Sequence, residues 1–164
     1  RQEAVRRNLP INRETLQNLG DEMRKVHGPC ILAERALLSV TNPNRCLVFD
    51  SLRNPSEINL FRHLIDIKII GVDAPVENRL HWYLKRSKER GEDDPDMSAF
   101  IKVSLRDRGI NQESYGQQVD KCLTMEDIVL NNGGTKDDIL KSLDLFLLNE
   151  FRFDTEICRR FIEK

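Results

Sequence analysis

The chain has 164 residues, 39% of them hydrophobic and 32% charged, enough for one domain with its own core and a heavily solvated surface. Its 26 Lys and Arg against 27 Asp and Glu leave a formal net charge of -1. This excludes a global field for nucleic acid or an anionic membrane and makes any anion site a local one. No apolar run approaches the ~20 residues of a membrane span and no signal-peptide pattern opens the chain, so a cytoplasmic location is expected.

Arg1 stands without an initiating methionine inside a helical pattern, and residues are expected upstream of it. Apolar residues recur with helical period at Leu16, Leu19, Met23 and Val26 behind an Asn12 cap. They recur again at Leu32, Ala36, Leu37 and Val40 after the Gly28-Pro29 break, which predicts two helices joined by an abrupt turn. Asn42-Pro43-Asn44 is a turn. The apolar run 46–49 is too short for a helix and suits a buried parallel strand ending on Asp50. Asn54-Pro55-Ser56-Glu57 supplies a cap, a first-turn proline and a glutamate placed to reach back, so a helix is predicted to about residue 64.

A second strand over 67–72 leads into Asp73-Ala74-Pro75 and a helix from about Val76 that turns Leu80, Tyr83 and Leu84 inward. Residues 91–95 form a polar loop, with Asp94 capping a helix that carries Phe100, Ile101, Val103 and Leu105. A short helical piece ends near Thr124. A third strand, 127–130, stops at Asn131-Asn132-Gly133-Gly134. Thr135 then caps an amphipathic helix with Ile139, Leu143, Phe146 and Leu147 on one side, and Asp154 caps a last short one. The apolar end with Phe151, Phe153 and Phe161 is either a contact surface or part of the domain's own packing.

Strands separated by helices call for parallel pairing with right-handed crossovers, so the fold class is α/β. In open parallel sheets, ligands bind beyond the carboxyl ends of the strands, where Asp50, Arg53, Asp73 and Asn131 fall. The cysteines Cys30, Cys46, Cys122 and Cys158 lack zinc or redox spacing. The histidines His27, His63 and His81 are scattered over three predicted helices, so no protein metal site is assigned.

Asp73, Pro75 and Glu77, followed by Lys85-Arg86, resemble the strand, helix and lid entrance of adenylate-kinase-like and uridylate-kinase-like nucleotide kinases. Asp50 to Arg53 resembles their strand-end Asp followed by a substrate-binding Arg, here one position early. The run from Glu126 to Thr135 is similar to the last strand and loop of dephospho-coenzyme A kinases. The resemblance implies a three-layer P-loop NTPase-like parallel sheet with flanking helices, incomplete at the N-terminus. Residues 1–164 would form a single domain with a helical lid at about 86–108. It also implies ATP and Mg2+ as cofactors, a nucleotide or nucleotide-like small molecule as partner, and no nucleic acid.

Phosphoryl transfer is catalysed mainly by positioning and positive charge, for which the planar fork of arginine is suited. On the resemblance, Arg86, Arg106 and Asp50 are the candidate catalytic residues. Arg53, Arg90 and Arg108 would bind substrate, and Asn131, Asn132 and Gly133 would border the base. Each has a plainer reading: the arginines as a solvated helix face, Asp50 as a strand-end turn cap, the asparagines and glycines as a turn before Thr135. Asp73 and Glu77 read as supports of the helix start.

No Gly-x-x-x-x-Gly-Lys-Ser/Thr occurs in the sequence, and the strand bearing it would lie between those at 46 and 67. A strand, loop and helix of roughly thirty residues are therefore expected upstream. Two function classes follow. One is a nucleotide or nucleoside-phosphate kinase transferring the ATP γ-phosphate to a small acceptor. The other is a non-catalytic, nucleotide-sensing domain of the kind found fused to deoxycytidylate deaminases, whose metal motif is absent here.

Overall fold

A computed structural model describes residues 1–42, 46–89 and 96–151. It is an α/β protein, mostly helical, with a small parallel sheet. Its elements run α1 (Gln2–Arg6), α2 (Arg13–His27), α3 (Ile31–Leu38), α4 (Pro55–Leu64), β1 (Ile70–Asp73), α5 (Val76–Glu89), α6 (Met97–Arg108), α7 (Val119–Leu123), β2 (Ile128–Asn131) and α8 (Lys136–Phe151). The expected loop at 91–95, the Asp94 cap and everything from residue 152 onward, with Asp154, Phe153, Cys158 and Phe161, lie outside the described residues. The chain divides into two compact units: Arg1–Lys68 with Ile101–Met125, and Ile69–Phe100 with Glu126–Lys164.

In the first unit, Asn12 caps α2 by accepting from the Thr15 amide at 2.8 Å. The helix stops at Gly28, whose φ of 101° suits a residue without Cβ. Leu19 and Met23 of α2 are buried with Ala4 of α1, and Leu16, Ile31 and Leu32 pack against them. Val26, expected on the same stripe, is instead exposed, and in that last turn it is Arg24 that is buried, against Glu57. The α4 start forms as predicted. Asn54 Oδ1 accepts from the Ser56 amide at 3.0 Å, while Glu57 Oε2 accepts from the amides of Arg53 and Asn54 at 2.8 and 3.2 Å. These bonds satisfy donors that a helix start otherwise leaves open. Ile58 and Phe61 then point into the core.

The first predicted strand does not form. Residues 46–50 have no regular structure, and Val48 is 89% exposed. A strand buried on both faces needs neighbours for its backbone N–H and C=O groups, and among the described residues none is paired with it. Only Phe49 is anchored, its ring 4.6 Å from that of Phe61. Val48→Ser is therefore expected to change the stability of this chain by no more than about 0.5 kcal/mol. A larger loss in urea unfolding would show that the segment is packed in solution.

In the second unit β1 and β2 pair in parallel, from Ile70 opposite Ile128 to Asp73 opposite Asn131. Both strands are displaced toward their carboxyl ends from the predicted ranges, and β1 is shorter than predicted while β2 has the predicted length. The entry is held by Asp127, whose amide donates to Ile69 O at 2.9 Å and whose Oδ2 accepts from the Ile69 amide at 2.6 Å. Tyr83 of α5 packs on Phe100, with ring centroids 5.6 Å apart. Asp96 takes a capping position at α6, accepting from the Ala99 amide at 2.7 Å. Thr135 and Asp138 cap α8 reciprocally: the Thr135 amide donates to Asp138 Oδ2 at 2.9 Å and the Asp138 amide to Thr135 Oγ1 at 3.3 Å. The Thr135 hydroxyl and amide also hold the Asp138 carboxyl below its ordinary pKa.

Candidate functional site

The first unit gathers four arginines and three carboxylates around the start of α4. Glu57, almost wholly buried, accepts from Arg24 Nε at 3.1 Å. Arg24, itself 3% exposed, also reaches Asp21 at 3.4 Å. Asp21 takes a second cation, Arg106 Nη2, at 2.7 Å. Asp107 is the other hub. It accepts from Gln17 Nε2 at 2.7 Å, from Arg13 Nη2 and, more weakly, from Arg53 Nη1 at 3.5 Å. Arg13, Arg24, Arg53 and Arg106 outnumber Asp21, Glu57 and Asp107 by one, so the cluster carries an unbalanced positive charge of the local kind an anion needs.

Arg53 is the most exposed member facing this network after Arg13, and its position is fixed from three directions. Its amide is held by Glu57, its carbonyl accepts from the Gln118 amide at 2.7 Å, and its Nη1 donates to Gln117 Oε1 at 3.2 Å. The loop supplying Gln117 is tied down in turn, since Asn54 Nδ2 donates to the carbonyls of Ser114 and Gly116, both at 2.9 Å. Among the described residues, Nε and Nη2 of Arg53 make no hydrogen bond, so one edge of a pre-positioned fork is open. Just before it, Ser51 takes φ 72°, a left-handed conformation that is costly for a residue with Cβ.

The other predicted site residues fall in different surroundings. Asp50 is exposed beside Ser51. Arg106 is spent on Asp21, and Arg108 Nη1 on Asp120 at 2.5 Å. Arg86 lies in the second unit, on α5, where its Nε donates to Trp82 O at 3.2 Å. There it lines a shallow depression of about 310 Å3 with Trp82, Lys85 and Glu89. Arg90 lies outside the described residues.

Asn131, Asn132 and Gly133 do come together at the carboxyl end of the sheet. Asn131 Oδ1 accepts from the Gly133 amide at 2.9 Å, and the Asn132 amide donates to Asp73 O at 2.7 Å. A Cβ on Gly133 would lie 2.9 Å from the Pro75 ring, so glycine is required by this close turn. Its carbonyl also accepts from Asn78 Nδ2 at 3.3 Å.

The sequence reading missed Arg13, Gln17, Asp21, Arg24, Asp107 and Gln117. The only local trace was the Asp21 to Arg24 spacing, which puts both on one helix face; the rest meet across 33 to 94 residues of chain. Among the described residues no three His, Cys, Asp or Glu side chains gather to hold a metal ion. No described helix is long and apolar enough to cross a membrane.

The chain is similar to UPF0200 proteins of archaea, whose names give no activity. It is 28% identical over 117 residues to one from Methanothrix thermoacetophila, covering 71% of this chain and 62% of the relative. It is 20% identical over 147 residues to one from Methanococcus maripaludis, covering 88% and 75%. A third, from Pyrococcus abyssi, is 22% identical over 153 residues, covering 90% and 77%. The chain thus spans less than two thirds of the length of the Methanothrix relative. No family model matches it, and no solved structure does.

Proposed function

We propose that the chain is part of a nucleotide-kinase-like phosphotransferase domain of the three-layer P-loop class, acting in the cytoplasm. In this reading the first unit grips the phosphate of a small acceptor that receives the γ-phosphate of ATP. The supporting observation is Arg53, held by Asp107, Gln117 and its own backbone with one edge of its guanidinium open. A fork fixed in this way binds a phosphate with little further ordering cost. Asp50, three residues away, is the carboxylate that would meet Mg2+ accompanying ATP, an ion usually held by one or two carboxylates together with phosphate oxygens. Asn131, Asn132 and Gly133 would border the base. Arg86, Arg90 and Arg108 would assist at the phosphates, and Arg106 would first have to leave Asp21.

Titrating the whole chain calorimetrically with AMP, CMP, dephospho-coenzyme A and inorganic phosphate tests this. At least one organic phosphate should bind saturably, and Arg53→Ala should weaken it at least tenfold, the size of a lost charged hydrogen bond. No saturable binding, or binding indifferent to the substitution, would overturn the reading. The second reading is nucleotide sensing without transfer. Binding without ADP release from MgATP would select it.

A further inference from the structure

A second cavity lies in the first unit, apart from the arginine and carboxylate network. It is about 580 Å3, cut into the packing of α1, α2 and α3. Its floor is apolar: Leu19 and Met23 belong to the buried cluster, and Leu16 and Leu32 are its partly buried flank. Gly20 keeps the floor open, since no side chain rises from that position. The rim is cationic. Glu3 draws in Arg6 Nη2 at 2.5 Å, Arg7 Nε at 2.6 Å and Arg35 Nη1 at 3.3 Å, and Arg7 also reaches Glu22 at 2.8 Å. Of these, Arg6, Arg35 and Glu3 line the cavity together with Arg1, so three guanidiniums stand against one carboxylate at the mouth. Arg35 holds Glu3 by a single long contact and is half-exposed, so most of its fork can turn to a ligand.

We propose that this groove binds an amphiphilic anion, an acyl or aryl carboxylate whose apolar body lies on Leu16, Leu19, Met23 and Leu32 and whose head meets Arg35 and Arg6. The volume is that of a small-molecule site, within the range of ~300–1,000 Å3 typical of such pockets. An apolar floor takes the tail of such a ligand through burial alone. The surplus charge at the rim selects the sign of its head. The inference stands apart from the phosphotransfer reading, because none of its residues belongs to the Arg53 network.

Methionine methyl groups report on it directly. Met23 lines the groove, while Met97 and Met125 do not, so the full chain labelled with [methyl-13C]methionine can be titrated with decanoate below its micelle-forming range. The Met23 signal alone should move, saturably. Decyltrimethylammonium, with the same tail and the opposite charge, should bind at least tenfold more weakly. Arg35→Glu should also weaken decanoate about tenfold while leaving the unliganded Met23 signal in place, with Arg35→Gln intermediate. An unmoved Met23, equal shifts at all three methionines, or equal binding of both amphiphiles would overturn the proposal. So would a response only to an acidic amphipathic peptide.

Discussion

Replacing Glu57 by alanine is expected to destabilise the first unit by about 3–5 kcal/mol, the usual cost of stripping one partner from a buried ion pair. Glu57 serves two structures at once. One carboxylate oxygen closes the capping box of α4 through the Arg53 and Asn54 amides, and the other holds Arg24. Without it, Arg24 keeps only a long contact to Asp21, which Arg106 already shares, while two amides at the helix start lose their acceptor. A loss of this size is a large fraction of the roughly 5–15 kcal/mol by which domains are stable.

Arg24→Met in the same chain should recover part of it, because an apolar side chain in the vacated space leaves no unpaired buried charge. Urea unfolding followed by far-UV circular dichroism of the two single variants and the double variant gives the coupling directly, expected at about 2 kcal/mol or more. Strict additivity would mean that the pair is not an energetic unit, and Arg24 would then have to be supported by Asp21 alone. If Arg53 grips phosphate as proposed, a folded Glu57→Gln chain should also bind phosphorylated ligands more weakly, because the capping bonds hold Arg53 in place.

What was legible in the sequence was local. Asn12, Asn54 and Thr135 each lie within three residues of the amides they cap, so the chain spells those helix starts in order. The helix after Pro75 and the last amphipathic helix follow from apolar spacing of the same short range. The run 46–49 was misread because its composition is that of a buried strand, whereas strand formation depends on a hydrogen-bonding neighbour that no local pattern contains. The arginine and carboxylate cluster was illegible for a related reason. Asp107 meets Arg13 and Gln17 across some ninety residues, and a charged residue on a helix has the same local signature whether it faces water or a distant partner. Arg53 was reached from its place after a predicted strand and from the resemblance, its open edge from neither. The groove on α2 was hidden because Leu16, Leu19 and Met23 read simply as core.

Raising the pH from about 4.5 to 7 is expected to weaken the second unit, and Glu126 is the cause. Its carboxylate lies against Gly71 of β1, where an added Cβ would be 1.4 Å from Oε2. That oxygen is buried without a hydrogen-bond partner among the described residues. Desolvation, with the Asp73 charge nearby as the smaller influence, pushes the Glu126 pKa from 4.5 up to about 7. The folded chain therefore keeps a proton here that the unfolded chain has released. Stability is full below about pH 4.5, falls as the pH rises to about 7, and is level beyond that for this group.

Glu126→Gln should match the parent at about pH 4 and exceed it at about pH 8. The gain should be about 1–2 kcal/mol once solvent screening of a partly exposed group is allowed for, or several degrees in Tm. Trp82, on α5 of the same unit, provides the fluorescence signal. Gly71→Ala supplies a second route to the same end: the new methyl evicts the flexible carboxylate toward water, where its pKa returns to the ordinary range and the slope disappears. If the slope survives both substitutions, another group carries it and the buried oxygen of Glu126 does not govern the stability of the sheet.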